Sequence, residues 1–260
     1  MKGRLNILVF SPIFTLQWLK TMGVCIIVFI PFGCGSVKKI QTLPSTLSIV
    51  AFGDSITAQR KNVGQVFAQR LPVLLGANGI RCQVINAGVG SNHSGRQSDY
   101  NYPQIRHGMD RFEVDVLNKN ADVVIIGFGT NDAYIDSNVA SGSSRISTEL
   151  YRKNLNFMIS SLKKRSVKVI LMAPNPLGIK RPDFQNARLY EYVKIVRELS
   201  KSHRTALVDN YQSFQNFQTL GFGTIDDLLQ DSVHPNDKGH EIIASNILHQ
   251  ILNLVNQKNI

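Results

Sequence analysis

Leu47-Ser48-Ile49-Val50-Ala51-Phe52-Gly53-Asp54-Ser55 opens the regular part of the chain. The apolar run Ile49–Phe52 has the length of a buried strand and is too short for a buried helix. Gly-Asp-Ser directly after it marks a turn. Downstream, strand and helix signals alternate. Val63–Leu75 carries apolar residues at helical spacing (Val66, Phe67, Leu71, Leu74, Leu75), Pro72 notwithstanding, and Cys82–Ile85 reads as the next strand. Asp110–Lys119 is helical in period, and Asp122-Val-Val-Ile-Ile-Gly127 is the cleanest buried strand. Ser147–Arg165 reads as a long amphipathic helix, Val167–Met172 as a strand, Asp183–His203 as a helix, Thr205–Val208 as a strand and Asp237–Val255 as a closing helix. Such alternation predicts an α/β fold, a parallel sheet covered by helices on both faces.

In open parallel sheets a ligand sits beyond the C-terminal strand ends, where strand order reverses. The polar residues at those ends are therefore the candidates for chemistry. They are Gly53-Asp54-Ser55, Asn86-Ala87-Gly88-Val89-Gly90-Ser91 and Gly129-Thr130-Asn131-Asp132, with Asp231-Ser232-Val233-His234-Pro235 just before the last helix. Each segment suits one part of acyl transfer. A serine hydroxyl needs a base to become a nucleophile. A His three residues after an Asp on a turn supplies that base, with the Asp fixing its tautomer. The developing oxyanion needs preorganised donors, which the Ser55 N–H at an expected helix start, the N–H groups near Gly88 and Gly90, and the Asn131 amide offer. Singly these segments are ordinary turns and caps; their order and their places at strand ends make them specific.

With these four blocks the chain resembles the SGNH (GDSL) hydrolases over residues 46–257. The resemblance implies a three-layer α/β/α sandwich on a five-stranded, flavodoxin-like parallel sheet. It implies Ser55 as nucleophile, with Asp231 and His234 completing the triad, and Asn131 as an oxyanion donor. Members often carry Gly where this chain has Ser91, so Gly90 and Ser91 both stand as the donor from the second block. Members hydrolyse esters and thioesters, among them lysophospholipids, short aryl esters and acetylated sugars, and some transfer acyl groups. No metal or cofactor is implied. Asp54 and Asp132 are expected to hold their loops by accepting backbone N–H bonds. His93 and Tyr134 are expected at the substrate pocket, whose walls should come from residues 94–107, 134–145 and 175–182. The second of these loops is mostly polar, which favours small acyl groups. His240, on the last helix, lacks companions for a metal site and is expected at the surface or as a cap.

Upstream of Leu47 the character changes. Residues 1–33 hold Lys2, Arg4 and Lys20 and no acidic residue, with two apolar runs broken by Lys20. Neither run reaches the roughly 20 residues that span a bilayer. The second, ending in Gly33-Cys34-Gly35-Ser36, has the length of a signal-peptide core. Cys34 after a small residue is similar to a bacterial lipoprotein processing site, although Pro31 and Phe32 depart from its usual pattern. The expectation is a signal peptide over 1–33, a lipidated Cys34, a linker over 34–45 and an exported, membrane-tethered enzyme at the cell envelope. A plain cleaved signal and an uncleaved anchor are the alternatives.

The formal charge is +11, and +8 once residues 1–33 and their three cations are set aside. The cations are dispersed, with no basic stripe interleaved with aromatics, so nucleic acid is not an expected partner. The three cysteines are Cys25, Cys34 and Cys82. With the first two in the leader and at its end, Cys82 stands alone and reads as a small core residue. Three functions are therefore open: ester hydrolysis of a small-molecule, glycan or lipid ester, acyl transfer between envelope molecules by the same residues, and binding without catalysis.

Overall fold

The computed structural model describes residues 46–256. The expected leader, Cys34 and linker lie outside the described residues. Five strands form one parallel sheet in the order β2-β1-β3-β4-β5: β1 Leu47–Gly53, β2 Cys82–Gly88, β3 Val123–Gly127, β4 Lys168–Ala173 and β5 Ala206–Asp209. The order reverses at β1, which pairs with β2 on one side (Gly53 opposite Gly88) and β3 on the other (Gly53 opposite Gly127). That switch point sets three block-bearing strand ends side by side, in the flavodoxin-like order.

Alternation along the strands divides the core into two layers. Val50, Phe52, Val124, Ile126 and Leu171 face one side, against α2 (Gly108–Asp115), α4 (Thr148–Lys164) and α5 (Asp183–His203). Ile49, Ala51, Val123, Ile125, Ile170 and Met172 face the other, against α1 (Phe67–Ala77), α6 (Asn210–Thr219) and α7 (Asp237–Asn256). All of β3 is buried, as a central strand with apolar residues on both faces requires. The edge strand β2 is only partly buried, and Cys82 packs there against the second layer.

Helix ends follow local chemistry. The Ser147 hydroxyl caps α4 by accepting the Leu150 N–H at 3.3 Å, and Lys163 and Lys164 occupy its last turn. The first helix starts at Phe67 and not at Val63: Val66 is extended, and the Gly64 and Gln65 N–H groups bind the Asp237 carboxylate at 3.0 and 3.1 Å. Two elements escape the apolar period. One is α3 (Thr130–Ala133), a single turn. The other is α6, polar in sequence, whose Tyr211, Phe214 and Phe217 are buried and whose first turn is capped by Asp209.

Candidate active site

The turn after β1 follows from Asp54. Its side chain is buried, and Oδ1 accepts the Ile56 N–H at 2.9 Å while its carbonyl accepts from Thr57 and Ala58. No helix follows Ser55: the chain makes one turn and leaves it, which corrects the expected helix start at the nucleophile. The Ser55 N–H is thus presented by an Asx-stabilised turn.

Ser55 Oγ lies 2.9 Å from His234 Nε2, and His234 Nδ1 lies 2.8 Å from both Asp231 carboxylate oxygens. The three side chains form a continuous line of hydrogen bonds. Asp231 also accepts the His234 and Val233 N–H groups at 2.9 and 3.2 Å, so one carboxylate folds the turn and orients the ring. The turn is clamped from outside: Asn175 Nδ2 donates to the Val233 carbonyl at 3.0 Å, and the Gly178 N–H to the Ser232 carbonyl at 2.9 Å. A Cβ at Gly178 would collide with Asp226 and crowd Ser232, so only glycine permits this approach.

Burial lowers the His234 pKa below the ordinary imidazole value; Asp231 opposes this, and the cations Arg60 and Arg181 add to it. The ring is therefore neutral near pH 7 and able to accept a proton. Burial alone would raise the Asp231 carboxyl, but the backbone and ring bonds from His234 outweigh it and leave it below its usual value.

The second block rides on the first. Asn86 Nδ2 donates to the Thr57 carbonyl at 2.8 Å, and a side chain at Gly88 would strike the Thr57–Ala58 backbone. Ser91 takes φ +58°, the left-handed conformation that favours glycine. Gly90 and Ser91 both line the cleft, as do Ser55, His234, Tyr134 and Asn131. The N–H groups of Ser55, Gly90 and Ser91 are not bonded within the chain among the described residues. Asn131 Nδ2 is buried near the Asp54 carboxylate with no partner in hydrogen-bond geometry, while its Oδ1 accepts from Arg145 at 3.3 Å. Unused donors at one spot are what an oxyanion requires.

Asp132 Oδ1 accepts the Ser94 N–H at 2.8 Å, which ties the third block to the loop after the second. Burial pushes the Asp54 carboxyl up to about 7 and that of Asp132 up to about 6.

Of two histidines, His93 departs from expectation, and His240 takes the expected capping role from a buried position. His93 does not border the cleft. It is fully buried, stacks on His107 with centroids 3.6 Å apart, donates from Nε2 to the Tyr100 carbonyl at 3.0 Å and accepts the Gly95 N–H on Nδ1 at 3.2 Å. Burial pushes its pKa down to about 4, so it serves as a neutral loop-builder. His240 is not at the surface; it is buried, and its Nδ1 accepts the first N–H of α1, from Phe67, at 3.3 Å.

Sequence reading missed the residue that joins the blocks. Arg111 lies almost wholly buried beneath them. Its Nη2 donates to the Gly53 carbonyl and Nη1 to the Ala87 carbonyl, both at 2.6 Å, and Nε donates to Asn92 Oδ1 at 2.8 Å. The guanidinium lies 4.3 Å from the Phe52 ring centroid and pairs with Asp115 at 3.1 Å. One side chain therefore holds the ends of β1 and β2 together. An Arg in an otherwise amphipathic helix carried no local sign of this.

The cleft measures about 560 Å³. Its walls come from the three expected loops, through Tyr102, Tyr134, Asp136, Arg145, Leu177 and Arg181, and also from Arg60, Gln185 and Leu189, which sequence reading did not single out. Among the described residues, no group of three or more His, Cys, Asp and Glu side chains is arranged to hold a metal.

Comparison with known proteins gives this site a family. The model of the GDSL-like lipase/acylhydrolase family matches residues 51–242. An uncharacterized lipoprotein, YqeF, of Bacillus subtilis (strain 168) is 27% identical over 226 residues, which cover 76% of this chain and 87% of that protein. An acetylxylan esterase of Geobacillus stearothermophilus is 24% identical over 174 residues, 66% of this chain and 73% of that one. The crystal structure of a lipase/acylhydrolase from Enterococcus faecalis superposes with a TM-score of 0.64 at 27% identity, covering 80% of this chain and 97% of the other. The chain belongs to the GDSL-like lipase/acylhydrolase family and is an ester-bond hydrolase.

Proposed function

We propose that this protein is a serine esterase that cleaves small acyl groups, acetate above all, from a sugar through a Ser55 acyl-enzyme. The observation that carries the reading is the 2.9 Å contact between Ser55 Oγ and His234 Nε2, with Asp231 on the far ring nitrogen. Ser55 Oγ attacks the ester carbonyl carbon as its proton passes to His234 Nε2, and Asp231 stabilises the resulting imidazolium. The oxyanion is held by the Ser55 N–H, the N–H of Gly90 or Ser91 and the Asn131 amide. Collapse breaks the C–O bond, and the alcohol leaves with the proton from His234. Water then attacks the acyl-enzyme, gives its proton to His234 and releases the acid, and Ser55 regains its hydrogen.

The small acyl group is supported by the cleft's lining, whose aliphatic members are Ala133, Leu177, Leu189 and Val233 among polar and aromatic neighbours. The acetylxylan esterase relative supports a sugar as the alcohol. Export by a signal over residues 1–33 and tethering through Cys34 belong to the same reading, supported by the relative named as a lipoprotein.

The test is hydrolysis of 4-nitrophenyl acetate and butyrate by the purified full chain. Acetate is expected to be preferred, and Ser55→Ala is expected to lose roughly 10⁴-fold or more in kcat. Full activity in Ser55→Ala would remove Ser55 from the reaction.

A further inference from the structure

The cleft wall carries three guanidinium groups, from Arg60, Arg145 and Arg181, and a single carboxylate, from Asp136. One of the three is spent. Arg145 grips Asp136 through two nitrogens at 2.8 and 2.7 Å and lies over the Tyr134 ring at 4.7 Å. The other two are not. Arg181 makes no ion pair and no side-chain hydrogen bond among the described residues, although it is half-buried beside His234. Arg60 gives one nitrogen to Asp231 at 3.3 Å, and its Nε is buried without a partner. Unspent guanidinium donors on two cations that line one hollow are available to an anion that enters it.

The hollow does not end at Arg60. A second depression, of about 250 Å³, shares that residue and continues past Lys61, Asn62 and Gln230. No acidic residue lines it. The hollow beyond Arg60 is thus lined by polar and cationic side chains alone. Tyr102 and Tyr134 also line the cleft, with Arg145 over both rings.

Building on the esterase reading, we infer that the alcohol part of the substrate is a carboxylate-bearing glycan, an O-acetylated chain containing uronate units, with Arg181 and Arg60 as its anchors. A guanidinium presents paired donors that match a carboxylate. A chain of uronates supplies one charge to the cleft and another to the depression beyond Arg60. The absence of a long apolar groove among the lining residues sets an acyl-lipid apart from this description.

The experiment compares 4-acetoxybenzoate with its methyl ester on the full chain, each rate divided by its hydroxide-catalysed rate. At low salt the kcat/KM ratio is expected to favour the carboxylate roughly tenfold or more. It should shrink as NaCl is raised and collapse toward unity in Arg181→Gln, with Arg181→Lys keeping part of it. In a Ser55→Ala background, calorimetry should show tighter binding of trigalacturonate than of xylotriose, and Arg181→Gln should erase the difference. A ratio at or below one overturns the inference while Ser55-dependent hydrolysis leaves the esterase reading intact. So does an Arg181→Gln variant that moves only the acid limb of the pH profile with the ratio unchanged, because the cations then tune His234 and hold no ligand. A preference seen only with 4-acetoxyphenyl phosphate also overturns the uronate assignment. Uronate binding without turnover of any ester sinks the esterase reading and leaves the anionic subsite standing.

Discussion

The two sides of the gap between Ser55 and His234 are built differently. Ser55 stands on buried polar groups: Asp54 and Asp132 are at most 2% exposed, and Arg111 bonds the carbonyls at two strand ends from below. His234 stands on an exposed turn, and the Asp231 side chain that folds it is 44% exposed. The position of Ser55 thus depends on buried long-range contacts, while the His234 ring is oriented by a carboxylate three residues away on a turn that Asn175 and Gly178 clamp. Damage to the first should spread into the fold, and damage to the second should stay chemical.

The sharpest way to break that contrast is Asp231→Asn. The expected loss in kcat is on the order of 10⁴-fold, from a misdirected tautomer, with stability changed by less than about 1 kcal/mol because the site is exposed. Burial lowers the His234 pKa, so the acid limb of the pH–rate profile, if it reports this ring giving up its proton, should lie below the ordinary imidazole value. Asp231 raises the ring's pKa, so its removal should move that limb further toward acid. A large drop in the urea midpoint would show that the turn is not locally held.

Arg111→Met tests the other side. The Ala87 carbonyl and Asn92 Oδ1 lose the guanidinium and the Gly53 carbonyl keeps only the Val89 N–H, at a cost of roughly 2–4 kcal/mol. Looser alignment of the first two blocks should lower kcat by about 10–100-fold with KM little changed. Arg111→Lys, which can still reach one carbonyl, should recover part of both. A variant that is destabilised but has wild-type kcat would make Arg111 purely structural. The smallest effect is expected from Ser91→Gly. It relieves a left-handed conformation worth about 1–2 kcal/mol but loosens the unfolded chain by up to about 1 kcal/mol, so thermal unfolding should move by only a few degrees and activity should persist.

These differences track what was legible in the sequence. Asp231-Ser-Val-His234 could be read directly, because its bonds run over three residues. Gly53-Asp54-Ser55 was readable as a turn, but not as one without a following helix, since a partner that ties the irregular stretch up to Phe67, the Asp237 carboxylate, lies far along the chain. His93 was misjudged, and the burial of His240 in its capping role was not foreseen, for the same reason: a histidine's sequence neighbours do not reveal whether its ring is buried against distant backbone.

By itself the sequence determined the α/β alternation, the strands of the parallel sheet and the chemical character of their C-terminal ends, because hydrophobic period and turn chemistry are local. Tertiary structure alone decided that Arg111 lies beneath two blocks, that Ser91 takes a glycine's conformation and that Arg60 and Arg181 both line the cleft with His234. Those outcomes arise where polar groups from remote segments leave water together, and the partners that compensate them are fixed only by packing.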